Sequence, residues 1–187
     1  LQSTEAVILV DAENAFNKLN RQAAPHNMRF LCPPFATVLI NTYRIPTRLF
    51  ISGGGEIAST EGTTQGDTLA MQFYGISITP IIHKLDHNTT AVHQVWLADD
   101  ATGAGTLESL KNWWDLVTNE GRKYGYCVKP TKSWLIIKDE TKLEEAELLF
   151  RHSPIRITTA GKRHLGAALG TNEFKATYMA EKVEEWC

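Results

Sequence analysis

The tetrapeptide Leu97-Ala98-Asp99-Asp100 places two adjacent carboxylates between the apolar run Val92 to Leu97 and the small-residue stretch Ala101 to Gly105. This pattern predicts strand, tight turn, strand, with both acids at the hairpin tip. Adjacent like charges repel, so such a pair is costly unless a cation neutralises it. A third acid, Asp11, ends another apolar run, Ala6-Val7-Ile8-Leu9-Val10. Two acidic strand ends side by side make a hard-oxygen site for a divalent metal. Mg2+ suits it, because that ion takes one or two carboxylates and fills its shell with water and phosphate oxygens. Two such ions roughly 3.5–4 Å apart form an arrangement that supports phosphoryl transfer.

The elements that must position these acids follow from the hydrophobic pattern. Residues 6–10 form a buried strand, and 13–22 read as a helix that Pro25 interrupts. A second helix runs from Pro34 to Tyr43, opened by proline. Residues 47–52 and 56–60 flank Gly53-Gly54-Gly55 and predict a hairpin. After the polar loop Glu61 to Gly66, a helix spans Asp67 to about Leu85, and Pro80 should kink or shorten it. The acidic hairpin occupies 92–105. Thr106 caps a long amphipathic helix to Tyr124, with Leu107, Leu110, Trp114 and Val117 on one face, and Gly125 ends it. Ser133 to Lys138 is a strand, 139–147 an acidic helical segment, and 155–158 with 162–169 a second hairpin. Residues 173–186 read as helical. Strands and helices alternate irregularly, which favours an α+β fold, an antiparallel sheet with helices on one face. A split βαβ, ferredoxin-like core would set the first strand beside the acidic hairpin.

Composition bounds the rest. The 187 residues are 43% hydrophobic and 21% charged, enough for an ordinary core in a single domain. No apolar run is long enough to span a bilayer, so a membrane partner is not expected. Cys32, Cys127 and Cys187 lack a CxxC spacing and read as free thiols of a reducing, intracellular compartment, cytoplasmic or nuclear. The start at Leu1, almost directly followed by a core strand, suggests a piece of a longer polypeptide. The net charge of −2 argues against a freestanding nucleic-acid binder. The charge is uneven: residues 1–100 carry 6 Lys/Arg against 9 Asp/Glu, and 101–187 carry 13 against 12.

Five segments line up in order: Val10-Asp11-Ala12-Glu13-Asn14-Ala15-Phe16, Glu61-Gly62-Thr63-Thr64-Gln65-Gly66-Asp67, Leu97-Ala98-Asp99-Asp100, Gly125-Tyr126-Cys127-Val128-Lys129-Pro130-Thr131-Lys132, and His164-Leu165-Gly166. In this order they resemble motifs A to E of the palm of a reverse transcriptase, retrotransposon type, most like the non-LTR group. The resemblance spans nearly the whole chain. It implies that Asp11, Asp99 and Asp100 bind two Mg2+ ions, with Mn2+ as an alternative. Each acid also has a plainer reading, Asp11 as a helix cap and Asp99-Asp100 as an ordinary turn.

The resemblance also implies that Phe16, five residues after Asp11, is a steric gate against a 2′-hydroxyl; a packing phenylalanine is the alternative. Gln65 and Gly66 would contact the incoming nucleotide and template, with Thr68 where the family often has proline. Asp67 reads equally as a cap of the next helix. Lys132 would be the general acid for pyrophosphate, with Lys129 as runner-up and Pro130 in place of a more usual asparagine. His164, Leu165 and Gly166 would hold the primer end, with His164 where the family favours an aromatic ring, and Arg156, Lys162 and Arg163 nearby for phosphate. A solvated edge hairpin is the alternative there.

The implied function is RNA-directed DNA synthesis on an RNA or DNA template with primer and dNTPs. Flanking fingers and thumb regions of the parent polypeptide would be partners. The rivals are an RNA-dependent RNA polymerase, which the bulky Phe16 disfavours, and an inactive palm relic that binds nucleic acid or nothing.

Overall fold

The computed structural model describes residues 4–64 and 66–186. They divide into two compact units, 4–11 with 89–115 and 129–186, and 12–64 and 66–88 with 116–128. Gln65, Cys187 and the first three residues lie outside the described set.

The first unit is built on a five-stranded sheet. Strand β1 (Ala6–Val10) is central, and its Ile8, Leu9 and Val10 are buried. It pairs antiparallel on one side with β5 (Asp100–Gly105) and on the other with β6 (Trp134–Ile137). Strand β4 (His93–Leu97) forms a hairpin with β5, and β7 (Arg156–Thr158) lies parallel to β6, giving the order β4-β5-β1-β6-β7. Its first four strands have the split βαβ, ferredoxin-like order expected. The sheet is mixed rather than antiparallel, because β7 joins by a three-residue parallel pairing.

The long helix (Leu107–Tyr124) begins in this unit. Thr106 caps it, its Oγ1 accepting from Ser109 N–H at 3.3 Å. The apolar stripe Leu107, Leu110, Trp113, Trp114 and Val117 is buried, as its spacing dictates. Gly103 lets this helix reach the sheet: a Cβ there would lie 3.1 Å from side-chain carbons of Ile8 and Val92 and 3.4 Å from Leu110. Gln94 Oε1 on β4 accepts from Trp113 Nε1 at 3.1 Å and Trp96 Nε1 at 3.0 Å, satisfying the polar edges of two indoles. Past β6, a short helix (Leu143–Phe150) carries the acidic segment on its exposed side.

The expected second hairpin is corrected. Residues 156–158 extend the main sheet, and the hairpin forms instead between Gly161–His164 and Ala167–Gly170. Its two-residue turn, Leu165-Gly166, has φ of 48° and 81°, the positive pair a tight hairpin demands. The closing helix, Asn172–Trp186, has no buried residue.

Among the described residues, the second unit holds the helices Ala15–Lys18, Ala23–Leu31, Pro33–Tyr43 and Ala70–Asn88, and the exposed hairpin of β2 (Thr47–Ile51) with β3 (Gly55–Ser59). Residues 13–22 do not form one helix. Asn20 Oδ1 accepts from the backbone of Gln22 and Ala23 and starts the next helix, so Pro25 falls in a first turn where its missing N–H is not needed. Pro80 does not end its helix either. Phe73, Ile78, Ile81 and Leu85 are buried along it, and that packing outweighs one lost backbone bond. Gly125, at φ 82°, turns the chain out of the long helix. Among the described residues no helix is long and apolar enough to cross a membrane.

Candidate active site

The site grows from the register of β1 and β5. Val10 pairs with Ala101 at the end of the ladder, so Asp11, the next residue after Val10, and Asp100, the residue before Ala101, lie at the same end of neighbouring strands. Asp100 also pairs with Leu97 across a two-residue turn, Ala98-Asp99, in which Ala98 takes a left-handed φ of 56°. A non-glycine residue there is strained, which marks this turn as held by its surroundings.

Asp11 and Asp100 line a cleft of about 160 Å3 together with Lys132, Trp134, Lys162, Arg163 and His164. The lining therefore combines acidic side chains with basic and aromatic ones. Asp99 does not line it. Burial, then the charge of Asp99, pushes the Asp100 carboxyl above its ordinary value; His164 opposes this, and Asp11 adds the smallest upward effect. Among the described residues no three His, Cys, Asp or Glu side chains form a group able to enclose a metal by themselves. Two carboxylates facing one cleft still fit Mg2+, which needs only one or two of them beside water and phosphate oxygens.

Lys162 Nζ lies 4.6 Å from the Trp134 ring centroid and Arg156 Cζ 5.3 Å from it, so the indole gathers two cations. His164 Nε2 lies 3.2 Å from Thr102 Oγ1, which ties the start of the Leu165-Gly166 turn to β5. Leu165 and Gly166 are exposed at the tip. Lys132 is exposed, in a short 3-10 turn ahead of β6. The structure thus brings together Asp11, Asp100, Lys132 and His164.

The remaining sequence candidates belong to the second unit. Phe16 is half-buried and stacks on Tyr74, ring centroids 4.5 Å apart and planes 25° apart. Its carbonyl accepts from Thr63 N–H at 2.6 Å, which joins it to the Glu61–Asp67 loop. Gln65 lies outside the described residues. Gly66 has φ 89° and open space around it. Asp67 caps the following helix, accepting from Leu69 N–H at 2.8 Å and from the Tyr43 hydroxyl. Those two bonds, Tyr43 first, hold its carboxyl below the usual range. Burial, then the bond to Asp67, pushes the Tyr43 hydroxyl well up.

Sequence reasoning missed Trp134, Thr102 and Arg21. Arg21 is 6% exposed and clamps the loop, donating to Gly62 O at 2.9 Å, Ser59 O at 2.7 Å and Glu61 O at 3.0 Å. Arg21 stands between the polar Asn20 and Gln22, so nothing in the local sequence marked it.

No family model and no curated protein matches the chain. Solved structures do. Apo telomerase from Candida tropicalis matches with TM-score 0.66 and 15% identity over 91% of this chain and 32% of that one. The chain has a palm fold. Telomerase from Candida tropicalis in complex with a TWJ fragment of telomeric RNA matches this palm at TM-score 0.65 and 16% identity, over 90% of this chain and 29% of that one. The Candida albicans telomerase in the corresponding RNA complex matches at TM-score 0.58 and 10% identity, over 92% and 30%. The palm spans about a third of these telomerase chains.

Proposed function

We propose that this palm performs template-directed nucleotidyl transfer as an RNA-directed DNA polymerase, adding dNMP to a primer 3′-hydroxyl. The observation that carries the reading is one cleft lined by both Asp11 and Asp100 together with Lys132, Lys162 and Arg163. Likeness to telomerase structures, two of them RNA complexes, supports a nucleic-acid substrate. A retrotransposon origin of the non-LTR kind rests on the motif resemblance alone.

Asp11 and Asp100 would hold Mg2+ or Mn2+, with Asp99 adding negative potential from the turn. When bound, a pair of such ions activates the attacking hydroxyl and neutralises the leaving pyrophosphate. Lys132 would protonate or charge-stabilise that leaving group. Lys162, Arg163 and the His164-Leu165-Gly166 turn would grip primer phosphates, where basic side chains fix register without reading sequence. Phe16 would bar a 2′-hydroxyl, and Gln65 with Gly66 would lie against nucleotide and template.

The test is primer extension by a longer polypeptide that contains this palm, with an RNA template, a DNA primer, dNTPs and Mg2+. Asp11→Asn and Asp100→Asn are each expected to abolish incorporation while the protein stays folded. Extension that survives both substitutions refutes the reading. A folded protein that binds template-primer but never extends it favours a non-catalytic palm.

A further inference from the structure

The ladder between β1 and β6 stops at the Leu9–Trp134 pair. Two residues on, Asp11 still donates its backbone N–H, but to a side chain: Ser133 Oγ, 3.1 Å away. Ser133 is 0% exposed. Its own hydroxyl proton goes to the Lys129 carbonyl at 3.0 Å, which leaves an oxygen lone pair free for Asp11. The Asp11 carbonyl accepts from Lys129 N–H at 2.8 Å. Both backbone polar groups of Asp11 are therefore held by one short turn, residues 129–133.

That turn is itself fixed at two points. Ser133 N–H reaches the Lys129 and Pro130 carbonyls at 3.1 Å each, and the Ser133 carbonyl accepts from Arg156 N–H on β7 at 3.1 Å. Lys132 belongs to the same turn, its N–H bonded to the Lys129 carbonyl at 3.0 Å. A single hydroxyl thus joins the backbone that carries one acidic residue of the cleft to the backbone that carries one of its basic residues.

We propose that Ser133 is a positioning residue for the cation site, its hydroxyl fixing Asp11, and with it the spacing from Asp11 to Lys132. The proposal rests on the nucleotidyl-transfer reading of the cleft. Serine suits the task because it is small enough for full burial and both donates and accepts. Alanine would leave the part-buried Asp11 N–H without its partner, and the end of β1 would move to find another. A displacement of about 1 Å at such a group is costly to a site that depends on orientation.

The experiment is Mn2+ titration of the 187-residue protein, followed by electron paramagnetic resonance well below each melting temperature, with amide hydrogen exchange at Asp11. Loss of a group that orients a metal ligand typically weakens affinity about 10–100-fold. Ser133→Ala is expected to show a loss of that order and faster exchange at Asp11, whereas Ser133→Thr, which keeps the hydroxyl, is expected to stay close to wild type. Ser133→Cys, nearly isosteric but a weak acceptor, makes the same comparison without opening a cavity, should the alanine variant not fold. A Ser133→Ala or Ser133→Cys protein that melts earlier yet binds Mn2+ as wild type does overturns the proposal and leaves Ser133 a purely structural residue. Wild-type Mn2+ binding indifferent to Asp11→Asn overturns the cation reading itself, a failure visible before any Ser133 variant is compared.

Discussion

Replacing Asp100 by asparagine keeps the shape of the side chain and removes one of the two negative charges that line the cleft. Burial raises the Asp100 carboxyl pKa most, the adjoining Asp99 next, and Asp11, which lines the same cleft, adds to both. At a separation of about 5 Å, two unit charges repel by roughly 3 kcal/mol at an effective dielectric of 20 and by under about 1 kcal/mol in bulk water. Both side chains are partly exposed, so the relief is set near the lower figure, roughly 1 kcal/mol. For a chain of this length that raises the melting temperature by about 2–4 °C. The sign follows from linkage. A carboxyl whose folded pKa lies above its ordinary 3.8 makes the folded state the better proton binder, so its cost is absent below that value and grows as pH rises through the raised one. The gain from Asp100→Asn is therefore full at neutral pH and low salt and vanishes in acid. Mn2+ acts in the opposite direction. At a hundred times its dissociation constant it should stabilise the wild type by about 2.7 kcal/mol and the variant little. Thermal melts at neutral and acid pH, with and without Mn2+, read both effects. An asparagine variant that melts below wild type at neutral pH without metal, or that gains as much from Mn2+, refutes the reasoning.

Two further outcomes follow from the second unit. Phe16→Val, in a longer polypeptide that extends primers, is expected to raise ribonucleotide incorporation relative to deoxyribonucleotide; loss of the stack on Tyr74 costs roughly 0.5–1.5 kcal/mol besides lost burial. A fixed ratio with only a lowered melting temperature makes Phe16 a packing residue. Gly125→Ala places a Cβ onto the Lys18 carbonyl at a φ of 82°. Overpacking and a left-handed backbone together cost roughly 2–5 kcal/mol, measurable as a lowered urea midpoint.

Local pattern determined much of this protein. The stripe Leu107, Leu110, Trp114 and Val117 has only one way to be buried, and the helix it predicts is the helix that forms. The acidic hairpin and strand β1 were equally legible, because a strand's period of two and a turn's small residues are properties of neighbours in sequence. Relations between distant segments were decided only by tertiary structure. Pairing in register brings Asp11 and Asp100, 89 positions apart, to the same end of neighbouring strands, and a slip of one residue would turn every side chain of the strand to the other face. For the same reason Asp99 and Asp100, alike in sequence, differ in place: one sits in the turn and the other lines the cleft. The parallel pairing of β7 and the role of Pro25 also depended on partners that no local window contains. Ser133 looked like the polar first residue of an apolar strand, and the structure starts that strand at Trp134. Only the folding of β6 beside β1 brought its hydroxyl to the backbone of Asp11, because a hydrogen bond is a matter of distance in space and not of separation along the chain.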